Sequence, residues 1–266
     1  VFGLRYTDDE VYSEVTNFFG RQGTDILQVD GSKVTSRFVI EKDIDENRMF
    51  YVSYTKGYKP GGSNLTYGRE NVVAPIVVLP TFEEEVVDAY EFGLKADLAG
   101  GRTRINSAVF FYNYEGLQYQ ATDPELFQGG VSNIPESEIY GAEVELSTYV
   151  TDSMILDANL SWIETEITAD HFALDNVQSD IATNALLAQG VNQFSDQVQI
   201  ARAAEITNVK GNELAKTPNF TANLALTWEG YVENWGELSN SLQYVYRGDF
   251  KHRMFNNPLT DMVPDY

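Results

Sequence analysis

Residues 85–118 read EVVDAYEFGLKADLAGGRTRINSAVFFYNYEGLQ, and the fold follows from how this stretch alternates. Tyr90, Phe92, Leu94, Ala96 and Leu98 share one parity, while Glu91, Gly93, Lys95 and Asp97 occupy the other. Strict period-two alternation places one set on each face of a β-sheet. The run ends in a tight join at residues 99–101, and a second extended run follows from Arg102 to Tyr119. Both runs exceed the usual strand of about 5–6 residues. A tilted strand that crosses a membrane needs about 9–11 residues for the hydrocarbon alone and can project beyond it.

The same alternation recurs along the chain. Phe220, Ala222, Leu224, Leu226 and Trp228 alternate with Thr221, Asn223, Ala225 and Thr227. Met154, Leu156, Ala158, Leu160 and Trp162 alternate with Ile155, Asp157, Asn159 and Ser161, and Tyr140, Ala142, Val144 and Leu146 with Gly141, Glu143, Glu145 and Ser147. The opposing set is polar and often charged. About nine strands are expected on this pattern, at residues 1–7, 34–42, 48–57, 84–98, 102–120, 133–150, 154–166, 218–229 and 236–250.

Connections sort by length. Residues 43–47, 99–101 and 151–153 are tight joins, whereas 8–33, 59–82, 121–132 and 167–217 are long polar stretches. Every second connection of an antiparallel meander lies at the same end, so the tight turns share one rim and the long loops the other. That asymmetry marks an antiparallel up-and-down outer-membrane β-barrel. Tyr51, Tyr54 and Tyr58, Tyr112, Tyr114 and Tyr119, and Tyr244 and Tyr246 fall near strand ends, as interfacial girdles require. An odd strand count with open ends does not close as an even-stranded bacterial barrel, so the chain reads as a partial barrel. The competing reading of the pattern is a soluble antiparallel sheet with one face on a core and one in water.

Composition narrows the function. The 266 residues suit one all-β domain, and no stretch approaches the ~20 apolar residues of a membrane helix. No initiator Met or signal pattern stands at Val1, so targeting information is missing rather than shown to be absent. Zero cysteines exclude a disulfide framework and thiolate chemistry. With 40 acidic against 18 basic residues, the net charge of −22 argues against nucleic acid as a partner. Much of the acid lies in expected loops, at 8–10, 83–85, 123–125 and 170–180. Those clusters read either as a cation-attracting mouth or as plain solvation of exposed loops. His171 and His252 have no carboxylate at ligand spacing and are expected at the surface. Asp170, Asp175 and Asp180 lack the dense spacing of a calcium loop. With no nucleophile, Walker or Rossmann motif, neither an enzyme nor a cofactor is expected.

Three stretches carry a family resemblance: RMFYVSYTKGYKPGGSN at 48–64, the run at 85–118 quoted above, and SNIPESEIYGAEVEL at 132–146. Together they closely resemble the β-barrel of TonB-dependent outer-membrane receptors. GLRYT at 3–7 and KTPNFTANLALTW at 216–228 fit the same family in the same order. The resemblance implies a barrel of about 22 strands closed by an N-terminal plug. It places this chain at roughly strands eleven to nineteen, with the plug, the first barrel half and the last strands lying outside it.

The resemblance also implies uptake of a scarce small-molecule ligand across the outer membrane of a Gram-negative bacterium. The drive comes from the TonB energy-coupling complex, reached through the N-terminal part that this chain lacks. A ferric siderophore is the first expectation; haem, cobalamin and oligosaccharides use similar barrels. A passive porin-like barrel and a soluble carbohydrate-binding β-sheet domain are the alternatives. Ligand sites of such barrels draw on loops and upper lumen walls. The candidate contacts are Tyr58, Tyr67 and Arg69 around the loop at 59–82, with Gln118 and Tyr119 at the top of the facing strand. Arg69 suits a carboxylate or catecholate oxygen, and Tyr67 and Tyr119 suit stacking; the tyrosines read equally as girdle residues. Within 167–217, residues 180–204 carry Ile181, Leu187, Val191, Phe194, Val198 and Ala201 at mostly helical spacing. Asp180 is the expected N-cap and Gly190 weakens the pattern. That helix is either a lid over the mouth or packing for neighbouring loops.

Overall fold

The computed structural model describes residues 1–16, 24–64, 78–122 and 129–266. Among these residues nine strands form a single sheet in chain order. They are β1 (Phe2–Thr16), β2 (Thr24–Asp45), β3 (Arg48–Lys59), β4 (Glu85–Leu98), β5 (Thr103–Thr122), β6 (Gly129–Thr151), β7 (Met154–Ile167), β8 (Phe220–Val232) and β9 (Gly236–Arg247). Each is antiparallel to the next. This is the expected meander: β2–β3, β4–β5, β6–β7 and β8–β9 turn tightly at one rim, and the long connections lie at the other.

Local chemistry closes the tight turns. The Asp45 carboxylate accepts from the Arg48 guanidinium and, at 3.0 Å, from the Asn47 backbone N–H. At Ala99–Gly101 three successive residues take φ of 51°, 68° and 87°. Two of the three are glycine, which adopts that left-handed region without the Cβ clash other residues meet.

At the opposite rim the strands outrun the sequence expectation. Residues 8–33 were expected as a long polar connection, yet β1 and β2 pair over residues 8–16 and 24–33, with Asp9 opposite Gly31 and Val11 opposite Val29. The stretch at 121–132 is likewise shortened, because β5 and β6 pair as far as Thr122 and Gly129. β2 and β6 contain 22 and 23 residues, so both project well past the hydrocarbon. Above a membrane both sheet faces are wet. The apolar alternation therefore fades there while backbone pairing continues.

The two faces differ in kind. Phe2, Phe38, Tyr54, Tyr90, Phe111 and Tyr140 stand in direct register across six adjacent strands. Tyr54 and Tyr90 have ring centroids 5.1 Å apart, and Tyr90 and Phe111 6.5 Å apart. Strands of a barrel tilt, so a row in register climbs as it crosses them and spans depth rather than marking one girdle. Phe92, Val109, Val144, Leu160 and Leu242 share this face and are exposed. An uncovered apolar face of this size suits lipid and excludes a soluble sheet with its apolar side on a core.

The other face is polar and cross-linked. Tyr51 donates to Glu91 at 2.5 Å, Lys95 stands 5.8 Å over the Tyr51 ring, and Asn106 donates to Glu145 at 3.2 Å. Gln243 donates to Asn223 at 2.9 Å. Tyr51, Tyr112 and Tyr114, expected in the girdle, belong to this face instead. Tyr51 lies opposite Gly93 with its ring over it, where a Cβ would collide, and Phe110 stacks on Tyr112 at 5.0 Å. Tyrosine suits either setting because its hydroxyl finds a partner, so composition near a strand end does not decide the face. The fold is a partial transmembrane β-barrel wall. Its buried apolar cluster, Ile134, Ile167, Ala173, Val209 and Met254, sits at the long-loop rim.

Candidate ligand site at the long-loop rim

Residues 168–219 form a folded excursion. Phe172–Leu174 pairs antiparallel with Ile206–Asn208, and between them lie α1 (Asn176–Leu187) and α2 (Asp196–Ala203). The sequence suggested one helix over 180–204 capped by Asp180; the structure has two, and the N-cap is Asp175. Its carboxylate accepts from the backbone N–H groups of Val177 at 3.1 Å and Gln178 at 3.2 Å, satisfying donors left free at a helix start. Asp180 falls inside the helix on its exposed side. The chain breaks between the helices around Gly190, which takes φ 82°. Val198 is fully buried, and Arg202 Nε donates to Thr183 Oγ1 at 3.0 Å, which joins α2 to α1.

The segment after β9 folds onto this excursion. Phe250–Lys251 pairs with Met262–Val263, and Arg253 projects from the resulting turn. Its guanidinium contacts Asp175 and Asp261, each at 2.5 Å, and donates to Asn176 Oδ1 and Thr260 Oγ1, both at 3.1 Å. Its Cζ lies 5.2 Å from the Phe255 ring centroid. Both carboxylates are buried. Burial works against the guanidinium charge, but its hydrogen bonds to the Asp175 and Asp261 carboxylates outweigh it and raise its pKa.

The tip of β5 forms the opposite wall. Gly116 takes φ 67°, and a Cβ there would collide with the Glu84 carbonyl. Its own carbonyl accepts from Asn133 Nδ2 at 2.7 Å. Gln118 is held on three sides: its backbone N–H donates to Glu85 Oε2 at 2.7 Å, and its amide to the carbonyls of Pro60 at 2.9 Å and Glu83 at 3.1 Å. Tyr119 meets His171 edge-on, with ring centroids 5.3 Å apart and hydroxyl to Nε2 at 2.8 Å. His171, expected at the surface, is thus half-buried, and burial lowers its pKa. His252 is exposed as expected.

Between these walls lies a cavity of about 530 Å³. Gln118, Tyr119, Gln120, Lys216, Thr217, His252, Arg253 and Phe255 contribute to its lining. Among the described residues no Asp or Glu lines it, although the chain carries 40 of them. Lys216 takes φ 63°, outside the usual range for a side-chain-bearing residue, and its N–H donates to the Lys251 carbonyl at 2.6 Å. Among the described residues its ammonium enters no ion pair. No cluster of three or more His, Cys, Asp or Glu fit to hold a metal occurs among them either.

Of the residues singled out from sequence, Gln118 and Tyr119 line this cavity. Tyr58 does not; it sits where β3 parts from β2, near Asp9, Gly31 and Phe82. Tyr67 and Arg69 lie outside the described residues. Sequence reading missed Lys216, His171 and Arg253. The one available signal was the basic run Lys251-His252-Arg253 in an acidic chain.

A nine-stranded antiparallel wall, lipid-suited on one face and polar on the other, with a folded rim around a cavity, defines a piece of a large membrane barrel. The chain belongs to the TonB dependent receptor-like, beta-barrel family, whose family model matches residues 1–266. A curated relative, the probable TonB-dependent siderophore receptor PiuA of Acinetobacter baumannii, is 25% identical over 123 residues, 46% of this chain and 16% of the relative. The ferric yersiniabactin uptake receptor FyuA of Yersinia pestis is similar in structure, with a TM-score of 0.66 at 16% identity. That match covers 100% of this chain and 33% of FyuA. The crystal structure of PiuA from Acinetobacter baumannii gives 0.66 at 18% identity, covering 100% of this chain and 32% of PiuA. The chain therefore spans about a third of these receptors, and at such identities the likeness shows the fold.

Proposed function

We propose that the protein containing this chain is an outer-membrane receptor for TonB-energised uptake of a scarce ligand, a ferric siderophore or related iron complex. The observation that carries the proposal is the cavity at the long-loop rim, built into a receptor-family barrel and walled by Gln118, Tyr119 and Lys216. It combines an aromatic platform with polar anchors, the composition of a small-molecule site. The siderophore receptors among the structural relatives support the ligand class. In this reading the long-loop rim is extracellular, the tight turns are periplasmic, and outer-membrane lipid covers the Tyr90–Leu160 face. The plug and the segment that meets TonB belong to the part of the receptor outside residues 1–266. Tyr67 and Arg69, which lie outside the described residues, are kept as proposed contacts.

Uptake of iron-55-labelled siderophores by iron-starved cells tests this. Deleting the gene should abolish uptake of one complex, and removing TonB should do the same. Uptake that survives loss of TonB would identify a passive porin instead.

A further inference from the structure

We infer that the excursion at 168–219 and the segment after β9 form one cooperative body, which docks on the strand tips or lifts from them as a whole. Neither segment has the means to be stable alone. The excursion holds a two-stranded ribbon of 3 residues a side and helices of 12 and 8 residues. The later segment has a ribbon of 2 residues a side. Isolated two-stranded ribbons, and helices shorter than about 12–15 residues, are marginal in water. What each lacks internally, the other supplies.

Contacts of three kinds join them. Arg253 of the later segment pairs with Asp175 of the excursion, beside its own Asp261. Side-chain amides then stand in for strand pairing. Asn256 accepts from the Glu213 N–H at 3.0 Å and donates to the Glu213 carbonyl at 3.0 Å, and Asn212 Nδ2 donates to the Met254 carbonyl at 2.9 Å. Asn256 does this from φ 54°, a left-handed conformation that asparagine tolerates better than most residues. The third contact is apolar: Met254 enters the buried cluster with Ala173 and Val209. Parting the segments would break the ion pair, free the amide-bonded backbone groups and open the cluster together, so partial separation gains nothing. The body meets β7 through backbone bonds, from Gly211 N–H to the Ile167 carbonyl at 2.8 Å and from Ile167 N–H to the Asn212 carbonyl at 2.9 Å. Ala173 and Asn176 from one segment and His252 and Phe255 from the other line the rim cavity, so that wall forms or opens in one step.

Hydrogen exchange of the purified full-length receptor in detergent tests this without any ligand. In mild urea, peptides covering Phe172–Leu174, Ile206–Asn208, Phe250–Lys251 and Met262–Val263 should open with one shared urea dependence, while β4 and β5 stay protected. Val198 is fully buried in α2 and stands outside the shared apolar cluster. Val198→Ala should quicken exchange by about ten-fold, as for loss of two buried methyl groups, and as much in Phe250–Lys251 and Met262–Val263 as in Phe172–Leu174. Phe250→Leu, in the other segment, should quicken Phe172–Leu174 and Ile206–Asn208 in return. If a variant does not assemble, the urea series on the wild-type receptor decides alone. Separate urea dependences for the two segments, quickening confined to the segment that carries the substitution, or equal quickening in β4 and β5 overturns the inference. None of these outcomes touches the uptake reading.

Discussion

Arg253 Nη1 lies 2.5 Å from Asp175 Oδ1, so the residue that caps α1 also holds the segment following β9. Two rim segments that are 78 positions apart in the chain are thereby joined through a mostly buried ion cluster. Removing one partner from such a cluster leaves the other charges buried without compensation, which costs about 3–5 kcal/mol. Arg253→Met should therefore loosen the 168–219 excursion while the strand wall persists. Limited proteolysis of the full-length receptor in detergent checks this: new cleavage within 176–203 is expected, with heat-modifiable barrel migration retained.

His171 makes rim docking sensitive to acid. Burial lowers its pKa, so the docked rim favours the neutral ring. A histidine with a depressed folded pKa contributes its full stability above its ordinary value, about 6.5, and loses it as pH falls toward the lowered one. The neighbouring charged and titratable groups are Asp170, which is 3.8 Å from Lys210, and the Tyr119 hydroxyl. Hydrogen exchange in Phe172–Leu174 and Ile206–Asn208 should therefore quicken as pH falls below about 6.5, beyond the intrinsic change. His171→Phe should remove that extra acceleration.

Gly116 sets the height of the β5 tip. Alanine there meets both the left-handed penalty of about 1–2 kcal/mol and the Glu84 carbonyl. Relief requires the tip to shift, which breaks the Asn133–Gly116 bond and displaces Gln118 and Tyr119. Gly116→Ala should weaken ligand binding several-fold with little change in barrel yield. Binding titration of the full-length receptor carrying the substitution reads this directly.

The parts legible in sequence are those where lipid imposes a pattern. Along Tyr90–Leu98 one face meets hydrocarbon and the other meets polar groups, so period two survives and gives the strands and their faces. The extensions of β1 and β2 over residues 8–16 and 24–33 were hidden because both faces there are wet, and only backbone pairing holds them. Placing the cap at Asp175 rather than Asp180 was beyond sequence for a different reason. The choice depends on where Arg253 arrives from far along the chain. The Tyr119–His171 contact, spanning 52 positions, was invisible on the same grounds, whereas Gln118 and Tyr119 followed from their place at a strand top.

Depth and face should separate two arginine substitutions made side by side. Leu160 lies on the exposed apolar face and Asn159 on the polar one, where it pairs in register with Glu145. Arginine on a lipid face costs about 2–4 kcal/mol near the bilayer midplane, and much less on a lumen face. Leu160→Arg should sharply reduce assembled receptor in outer-membrane fractions, and Asn159→Arg should leave it near wild type. Equal yields would remove the face assignment.

The isolated chain of residues 1–266 should not behave as a soluble monomer. β1 and β9 are the terminal strands of the sheet, and among the described residues each has one edge without a strand neighbour in it. Such edges invite pairing with other chains. The apolar face adds a second drive: Phe2 is 68% exposed and Leu242 74%, with Tyr90, Phe92 and Val109 between them near half exposed. A continuous patch of this kind far exceeds what soluble monomers tolerate. The net charge of −22 opposes association, but charge repulsion is screened beyond about 8–10 Å at ordinary salt, whereas edges and apolar faces act at contact. Sedimentation of the purified chain without detergent should therefore show broad, fast-moving aggregates, which added detergent should collapse to smaller, defined species. A sharp, stable monomer boundary in plain buffer would contradict the exposed apolar face on which the membrane reading depends.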